Sequence, residues 1–426
     1  MAVYKHSVSL DIEKCKGCTH CLKRCPTEAI RIRDGHATID PDRCIDCGEC
    51  IRQCPHNAKK AIYDKLSSLP ADKYLIALPA PTLYGQFERL DDLDHLIKGL
   101  LDIGFDDVFE VACAAELITE YTRRFLARDD IVRPVISSAC PVVARLVSLR
   151  FPTLVGNLMP ILPPIELAGR LAREKAKAKN PSLKDGDIFT VFISPCPAKV
   201  SYVKNNLVGG VSSVDAVVAI NDIYFELLSV MEDRITSVPY SRTGMIGVGW
   251  ATSGGESSAL MNDHYLSADG IENVIKVLED LDTSEHPNLD FVELNACSGG
   301  CVGGVLAVEN PYVARVRLRN IKRYLPVSQA RPPEDAGGAG FPDEYKINLG
   351  VIQKPISSLN PDIRQAMDLM ADIDEIFKTL PELDCGSCGS PTCRAFAEDV
   401  VKGNAKYEEC IVVMRQKLKH LLAEDI

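Results

Sequence analysis

No stretch of this 426-residue chain approaches the roughly 20 consecutive apolar residues that would carry a helix across a bilayer, so a soluble protein is expected. Met1 to Leu10 carries Lys5 and His6 but no apolar core of the length a secretory signal needs. A reducing, cytoplasmic setting follows, where thiolates stay free for metal and disulfides are not the expected use of cysteine. The eight histidines show no metal-ligand spacing. Gly244 to Gly249 contains G-x-x-G-x-G without the rest of a nucleotide fingerprint, so neither NAD nor ATP is expected. A formal charge of -11 argues against nucleic acid as a partner and suits docking against a basic patch on a redox protein. What the chain does have is 46% hydrophobic residues, enough at this length for several cores, and 17 cysteines.

Cys15, Cys18, Cys21 and Cys25-Pro26 are repeated after an eighteen-residue gap by Cys44, Cys47, Cys50 and Cys54-Pro55. This is the run C-x2-C-x2-C-x3-C-P, and it resembles the bacterial two-cluster ferredoxins, in which the fourth cysteine of each run serves the other cluster. The resemblance implies one 4Fe-4S cluster on Cys15, Cys18, Cys21 and Cys54, and a second on Cys44, Cys47, Cys50 and Cys25. Zinc knuckles share the C-x2-C unit, but two zinc sites would leave the repeated Cys-Pro without a purpose. His20 and His56 neighbour these runs, where a hydrogen bond to sulfur or plain surface exposure would account for either.

Beyond Tyr63 and a polar connection over Lys65 to Asp72, strand and helix patterns alternate. Leu75 to Leu78, Val108 to Ala112, Val135-Ile136, Ile188 to Ile193, Val217 to Ile220 and Phe291 to Leu294 read as strands. Phe87, Leu90, Leu93, Leu96, Ile97, Leu100 and Leu101 fall at helical spacing, as do Glu116 to Leu126 and Val142 to Arg150. This is an α/β pattern with largely parallel sheets. The basic cluster Arg173, Lys175, Lys177 and Lys179 reads as the solvated surface of a helix. Pro326 to Pro342 reads as a long loop or linker. Beyond Asn360 a small helical unit begins, with Ile363, Met367, Met370, Ile373 and Ile376 as a core-facing stripe, followed by Ala395 to Val401 and Cys410 to Leu422.

Cys140, Cys196 and Cys297 each follow closely on an expected strand, and the carboxyl ends of parallel strands are where ligands gather. Turn-forming residues flank each of them, and Gly299, Gly300, Gly303 and Gly304 surround Cys301, a fourth thiol. Convergence of three remote loops is therefore expected. Cys113 is the unpaired cysteine and is expected to be buried as a small apolar residue.

In the order of these motifs, from about Leu75 to Val351, the chain is similar to the FeFe-hydrogenases. That resemblance implies a two-lobed α/β catalytic domain in which Cys140, Cys196, Cys297 and Cys301 hold the cube of an H-cluster, with Cys301 shared with a two-iron unit bearing CO, cyanide and a dithiolate. Lys199 falls where the family places a lysine that hydrogen-bonds a cyanide, and Trp250 to Gly255 looks like the turn lining the two-iron site. Four positions depart from the family pattern. Ala139 replaces the cysteine that passes protons, Met159 stands where the proton route continues through a serine, Ser194 replaces a methionine, and Tyr202 replaces a glutamate. A methyl group neither donates nor accepts a proton, so the usual route is cut at its innermost step. Glu116 and Glu120 lie in the segment that supplies an acidic relay residue.

Cys385, Cys388, Cys393 and Cys410 resemble the C-G-x-C-G-x-P-T-C iron-sulfur segment of anaerobic redox proteins, which implies a third accessory cluster; a structural zinc is the alternative. The expected organisation is an α+β ferredoxin-like segment over 1–64, the α/β hydrogenase-like domain over 70–355 and a small helical iron-sulfur segment over 360–426. The pattern resembles the sensory FeFe-hydrogenases. It implies slow, reversible hydrogen oxidation and proton reduction, with hydrogen and protons as substrates, a redox partner such as ferredoxin, and a signalling partner protein, since no sensor or kinase pattern is present in the chain. The alternatives are an electron-transfer or assembly scaffold that keeps only cubes, and a hydrogenase subunit of an electron-transfer complex.

Overall fold

The computed structural model describes residues 6–88, 90, 92–205, 211–231, 239–284, 286, 288–332, 340–347 and 359–424. They fall into two compact units: residues 62–354 with the N-terminal heptapeptide, and Val8–Ala61 with Pro355–Ile426. Residues 333–339 of the expected loop lie outside the described residues.

In the larger unit, four parallel strands run in the order Asp107–Val108, Tyr74–Pro79, Ile188–Ser194, Ala216–Ala219. A second parallel sheet of three has the order Tyr265–Asp269, Phe291–Asn295, Val135–Ile136. The strands are near-continuous apolar runs because helices cover the sheets; Ala77, Leu78, Val191, Val217 and Val218 are at 0% exposure. The result is the expected α/β class, with parallel strands alternating with helices.

Several boundaries move. Leu93–Asp102 is the helix that Phe87 and Leu90 were expected to begin; it starts at the Asp92 cap, whose side chain accepts from the Asp94 N–H. The strand expected over Val108 to Ala112 stops at Val108, and the helix Val111–Leu126 takes the remainder, with Cys113 buried in its first turn. Strand Tyr265–Asp269 and most of helix Pro164–Lys179 had no sequence expectation. Within the expected basic surface, Arg173 is not simply solvated: it ion-pairs with Asp215 and donates to the Ser213 carbonyl at 3.0 Å.

The smaller unit pairs Val8–Leu10 with Lys59–Ala61 and Ile30–Arg33 with His36–Ile39, both antiparallel. Its helical part contains Ile363–Thr379, Cys393–Val401 and Ile411–Glu424. The expected core stripe on the first of these helices is only half a core. Ile373 is buried, but Met367 and Met370 are 67% and 51% exposed, because the helix packs on its neighbour through its C-terminal half. Among the described residues no helix is long and apolar enough to cross a membrane.

Candidate metal centres and active-site pocket

The two ferredoxin-like runs fold as a near-symmetric pair. In each, the N–H four residues after the last cysteine donates to its sulfur, Ala29 to Cys25 Sγ at 3.2 Å and Ala58 to Cys54 Sγ at 3.3 Å. Positive φ angles at Glu28 and Asn57, 52° and 50°, turn both loops alike. A cavity with about 350 Å³ of empty space is lined by Cys25, Cys44, Cys47 and Cys50, so the fourth cysteine of the first run faces the second set. Likewise Cys21 feels the sulfurs of Cys18, Cys54 and Cys15. Burial raises the thiols of Cys21, Cys44, Cys47 and Cys50, with Cys50 pushed up to about 12, so a metal binding here must displace protons from reluctant donors.

In the helical segment of the same unit, Cys388, Cys393 and Cys410 share one small core and Cys385 is exposed at its edge. This segment is clamped to the strand Ile30–Arg33. Asp399, 6% exposed, accepts from Arg31 Nε at 2.6 Å, Arg33 Nη2 at 2.9 Å and Ser390 Oγ at 2.6 Å. Arg43 adds a 2.7 Å bond to Glu398 and Lys23 donates to the Pro391 carbonyl at 2.9 Å.

The larger unit gathers Cys140, Cys196, Cys297 and Cys301 at the carboxyl ends of its two sheets. Cys140 and Cys196 each precede a helix that begins with proline, Pro141–Arg150 and Pro197–Lys204, so each sulfur lies at the positive end of a helix. The glycine turn after Cys297 holds the loops together: Leu306 N donates to Pro195 O and Val302 N to Ala251 O, each at 3.0 Å. A Cβ on Gly304 would meet Pro195 O at 2.2 Å, so only glycine allows this approach. Lys199 Nζ lies 3.9 Å from Cys301 Sγ. Burial pushes its ammonium down, yet the surrounding sulfurs of Cys301, Cys196, Cys140 and Cys297 more than restore it, leaving the pKa raised. Cys196 is pushed up to about 12 by burial despite the pull of Lys199. Four thiols around one cation match the donor set and charge that an anionic iron-sulfur cube requires.

Beside these sulfurs is a pocket with about 650 Å³ of empty space, part of it open to solvent, whose wall includes Ala139, Cys140, Lys199, Trp250, Glu256 and Cys301. Ala139 and Lys199 thus face it, whereas Ser194 and Tyr202 do not. Ser194 Oγ accepts from Cys196 N at 3.1 Å and donates to Cys196 O at 2.9 Å, closing the cysteine turn. Tyr202 is in the core, its hydroxyl without a hydrogen-bond partner among the described residues. Met159 is likewise core, 2% exposed.

Glu116 is an anchor. Its carboxylate accepts from Gly244 N, Ser328 Oγ (2.8 Å), Gln329 N (2.8 Å) and Ala330 N (2.9 Å), which holds two loops on helix Val111–Leu126. Glu120 pairs with Arg123 and Arg124 at the surface.

Two carboxylates that sequence reasoning missed do reach the pocket, Glu256 and Glu293. Both Glu256 oxygens lie within bonding distance of Ser137 Oγ, 2.9 and 2.7 Å, and that same oxygen accepts from Ala139 N at 3.3 Å. Burial, then the charge of Glu293, raises Glu256 far above the usual carboxyl range. Glu293 is raised by burial but eased by donors: Gly254 N at 3.0 Å, Ser257 N at 2.8 Å and Asn295 Nδ2 at 2.8 Å. Burial and mutual repulsion therefore favour the neutral carboxyl in this pair, more strongly at Glu256 than at the better hydrogen-bonded Glu293. The available signals were a glutamate directly after the Trp250 to Gly255 turn and a charge inside the apolar strand Phe291–Asn295.

The family model for the iron-only hydrogenase large subunit, C-terminal domain, matches residues 73–261 and 254–305, more than half of the chain. A 4Fe-4S dicluster domain matches 7–55 and an Fe-S cluster family matches 380–412. Iron hydrogenase 1 of Clostridium pasteurianum is 23% identical over 294 residues, 55% of this chain and 50% of that protein. The corrinoid/iron-sulfur protein large subunit of Moorella thermoacetica is 50% identical over 36 residues, 8% of each chain. The chain spans under a quarter of the length of the first curated relatives it matches. A solved FeFe-hydrogenase of Chlamydomonas reinhardtii covers 62% of this chain and 88% of its own at 17% identity, with a TM-score of 0.46.

Proposed function

The chain belongs to the iron-only hydrogenase large-subunit family, and from that membership we propose that it is a slow FeFe-hydrogenase whose hydrogen chemistry serves to sense hydrogen or redox state. The observation that carries the reading is the pocket itself. Cys140, Cys301 and Lys199 line it, the sulfurs of all four cysteines surround the Lys199 ammonium, and the methyl of Ala139 faces it where the family resemblance implies a proton-passing thiol.

When bound, an H-cluster supplies a redox cube joined to a two-iron unit at which hydrogen is split or formed. Cys140, Cys196, Cys297 and Cys301 would hold the cube, and Lys199 would offset its charge and donate hydrogen bonds. Ala139 does neither acid nor base work. The proton store of the pocket would then be Glu256, whose carboxyl is raised far above the ordinary range by burial and by the neighbouring Glu293, and which Ser137 Oγ orients. Val111, Ala115, Ile165, Phe192 and Trp250 give the pocket an apolar wall, and the carboxyl itself is buried. Losing one positioned acid-base group costs about 10²-fold to 10⁴-fold in rate, and a displaced substitute recovers part of it. Slow turnover beside intact ligands suits reporting more than fuel metabolism.

Electrons would pass to the cubes of the cysteine-rich unit and on to a redox or signalling partner. Infrared spectra of the chain, matured with the two-iron unit and taken with and without hydrogen, test the proposal. CO and cyanide bands that shift under hydrogen are expected. Their absence after maturation would instead favour a scaffold that carries only cubes.

A further inference from the structure

Two buried residues break the symmetry of the ferredoxin-like repeat. Five positions after Cys25 comes Ile30, 2% exposed; five after Cys54 comes Lys59, 3% exposed. Both open a short strand, Ile30–Arg33 and Lys59–Ala61, so their backbones are equivalent. The apolar residue is ordinary there. The lysine is not, since its Nζ is buried without a hydrogen-bond partner among the described residues. A buried ammonium without a counter-charge is costly, and the groups it faces are cysteine sulfurs. Ile30 lines the cavity of Cys25, Cys44, Cys47 and Cys50, so the equivalent Lys59 belongs beside the other set, Cys15, Cys18, Cys21 and Cys54; its charge acts accordingly on Cys21 and Cys54, and also on Cys50. The second set has the opposite neighbour: Asp46, 1% exposed, has Oδ1 3.6 Å from Cys44 Sγ.

We infer that Lys59 is the internal counter-cation of the paired cubes and splits their reduction potentials, placing the cluster held by Cys15, Cys18, Cys21 and Cys54 above the one held by Cys44, Cys47, Cys50 and Cys25. An added electron makes each cube more anionic, so a fixed cation beside the first set and a buried carboxylate beside the second favour reduction of the first more. The more positive cube then collects the electron and the other passes it on.

The inference needs only the two ferredoxin-like cubes and is independent of hydrogen chemistry. It is tested on the full reconstituted chain by dithionite titration followed by electron paramagnetic resonance, in which dithionite is oxidised and each cube takes one electron. Two resolved midpoints are expected. Lys59→Met should make reduction of the more positive cube about tenfold less favourable, about 59 mV for a one-electron couple, and narrow the gap. Lys59→Arg should keep the split, and Ile30→Lys, with Lys59 in place, should raise the lower midpoint. Two cubes by iron and sulfide analysis with unchanged midpoints in Lys59→Met would overturn the inference. So would loss of a cube in Lys59→Met together with no shift in Ile30→Lys, which would make the lysine an assembly residue.

Discussion

At the proposed site, Glu256 is the carboxyl that burial raises and Ala139 is a methyl that can carry no proton. Glu256→Gln retains the shape and the Ser137 contact but holds no exchangeable acid, so hydrogen turnover of the matured chain should fall at least about 10²-fold with infrared bands still present. Ala139→Cys should act oppositely and raise turnover, measured by hydrogen evolution with a reduced dye. Folding raises the Glu256 pKa, so the stabilisation from its neutral form is complete below the unfolded carboxyl range and is lost as pH climbs through the folded value. Melting temperature should therefore decline with rising pH in the parent chain, and Glu256→Gln should flatten that decline. Neither glutamate stood out in the sequence, because a carboxylate becomes a proton store only when its burial and neighbours are known. Sequence position left Glu116 and Glu120 equivalent, and only the structure distinguishes them, Glu116 as a buried loop anchor and Glu120 as a surface ion-pair partner.

The elements show why three scattered cysteines could be grouped in advance while their surroundings could not. Each follows a short apolar strand, and parallel strands deliver their carboxyl ends to one side, which is readable from pattern alone. The contacts that lock the loops depend on backbone approach. Gly304→Ala, which would drive a methyl into Pro195 O, should lower iron bound at the composite site while the ferredoxin-like clusters keep their electron paramagnetic resonance signals. Helix Ile363–Thr379 taught the reverse lesson, since its helical period was legible but the face it buries was not; its neighbour covers only Ile373 and the turns beyond. Asp399→Ala should destabilise the cysteine-rich unit by about 3 kcal/mol, because it leaves Arg31 and Arg33 partly buried without their shared anion. Chemical denaturation of the cluster-loaded chain, followed by cluster absorbance, would measure that loss.

Across the whole molecule, the two units differ in what holds them together. The larger has extensive aliphatic cores on both sheets, whereas in the smaller, among the described residues, the cores are slight and the cysteines themselves are core residues. Removing iron should therefore leave the larger unit folded and expose the smaller to proteolysis, giving a protected fragment close to residues 62–354. The sequence by itself determined the α/β class, the cysteine spacings and the presence of an alanine at position 139, since spacing, period and residue identity are local properties of the chain. Tertiary structure alone decided that segments from the two ends of the chain form one unit through Asp399, that Glu256 and Glu293 are buried as a pair, and that Lys59 is buried among the cysteine runs. Each of those depends on which groups lose water together, and burial is settled only when distant parts of a chain meet.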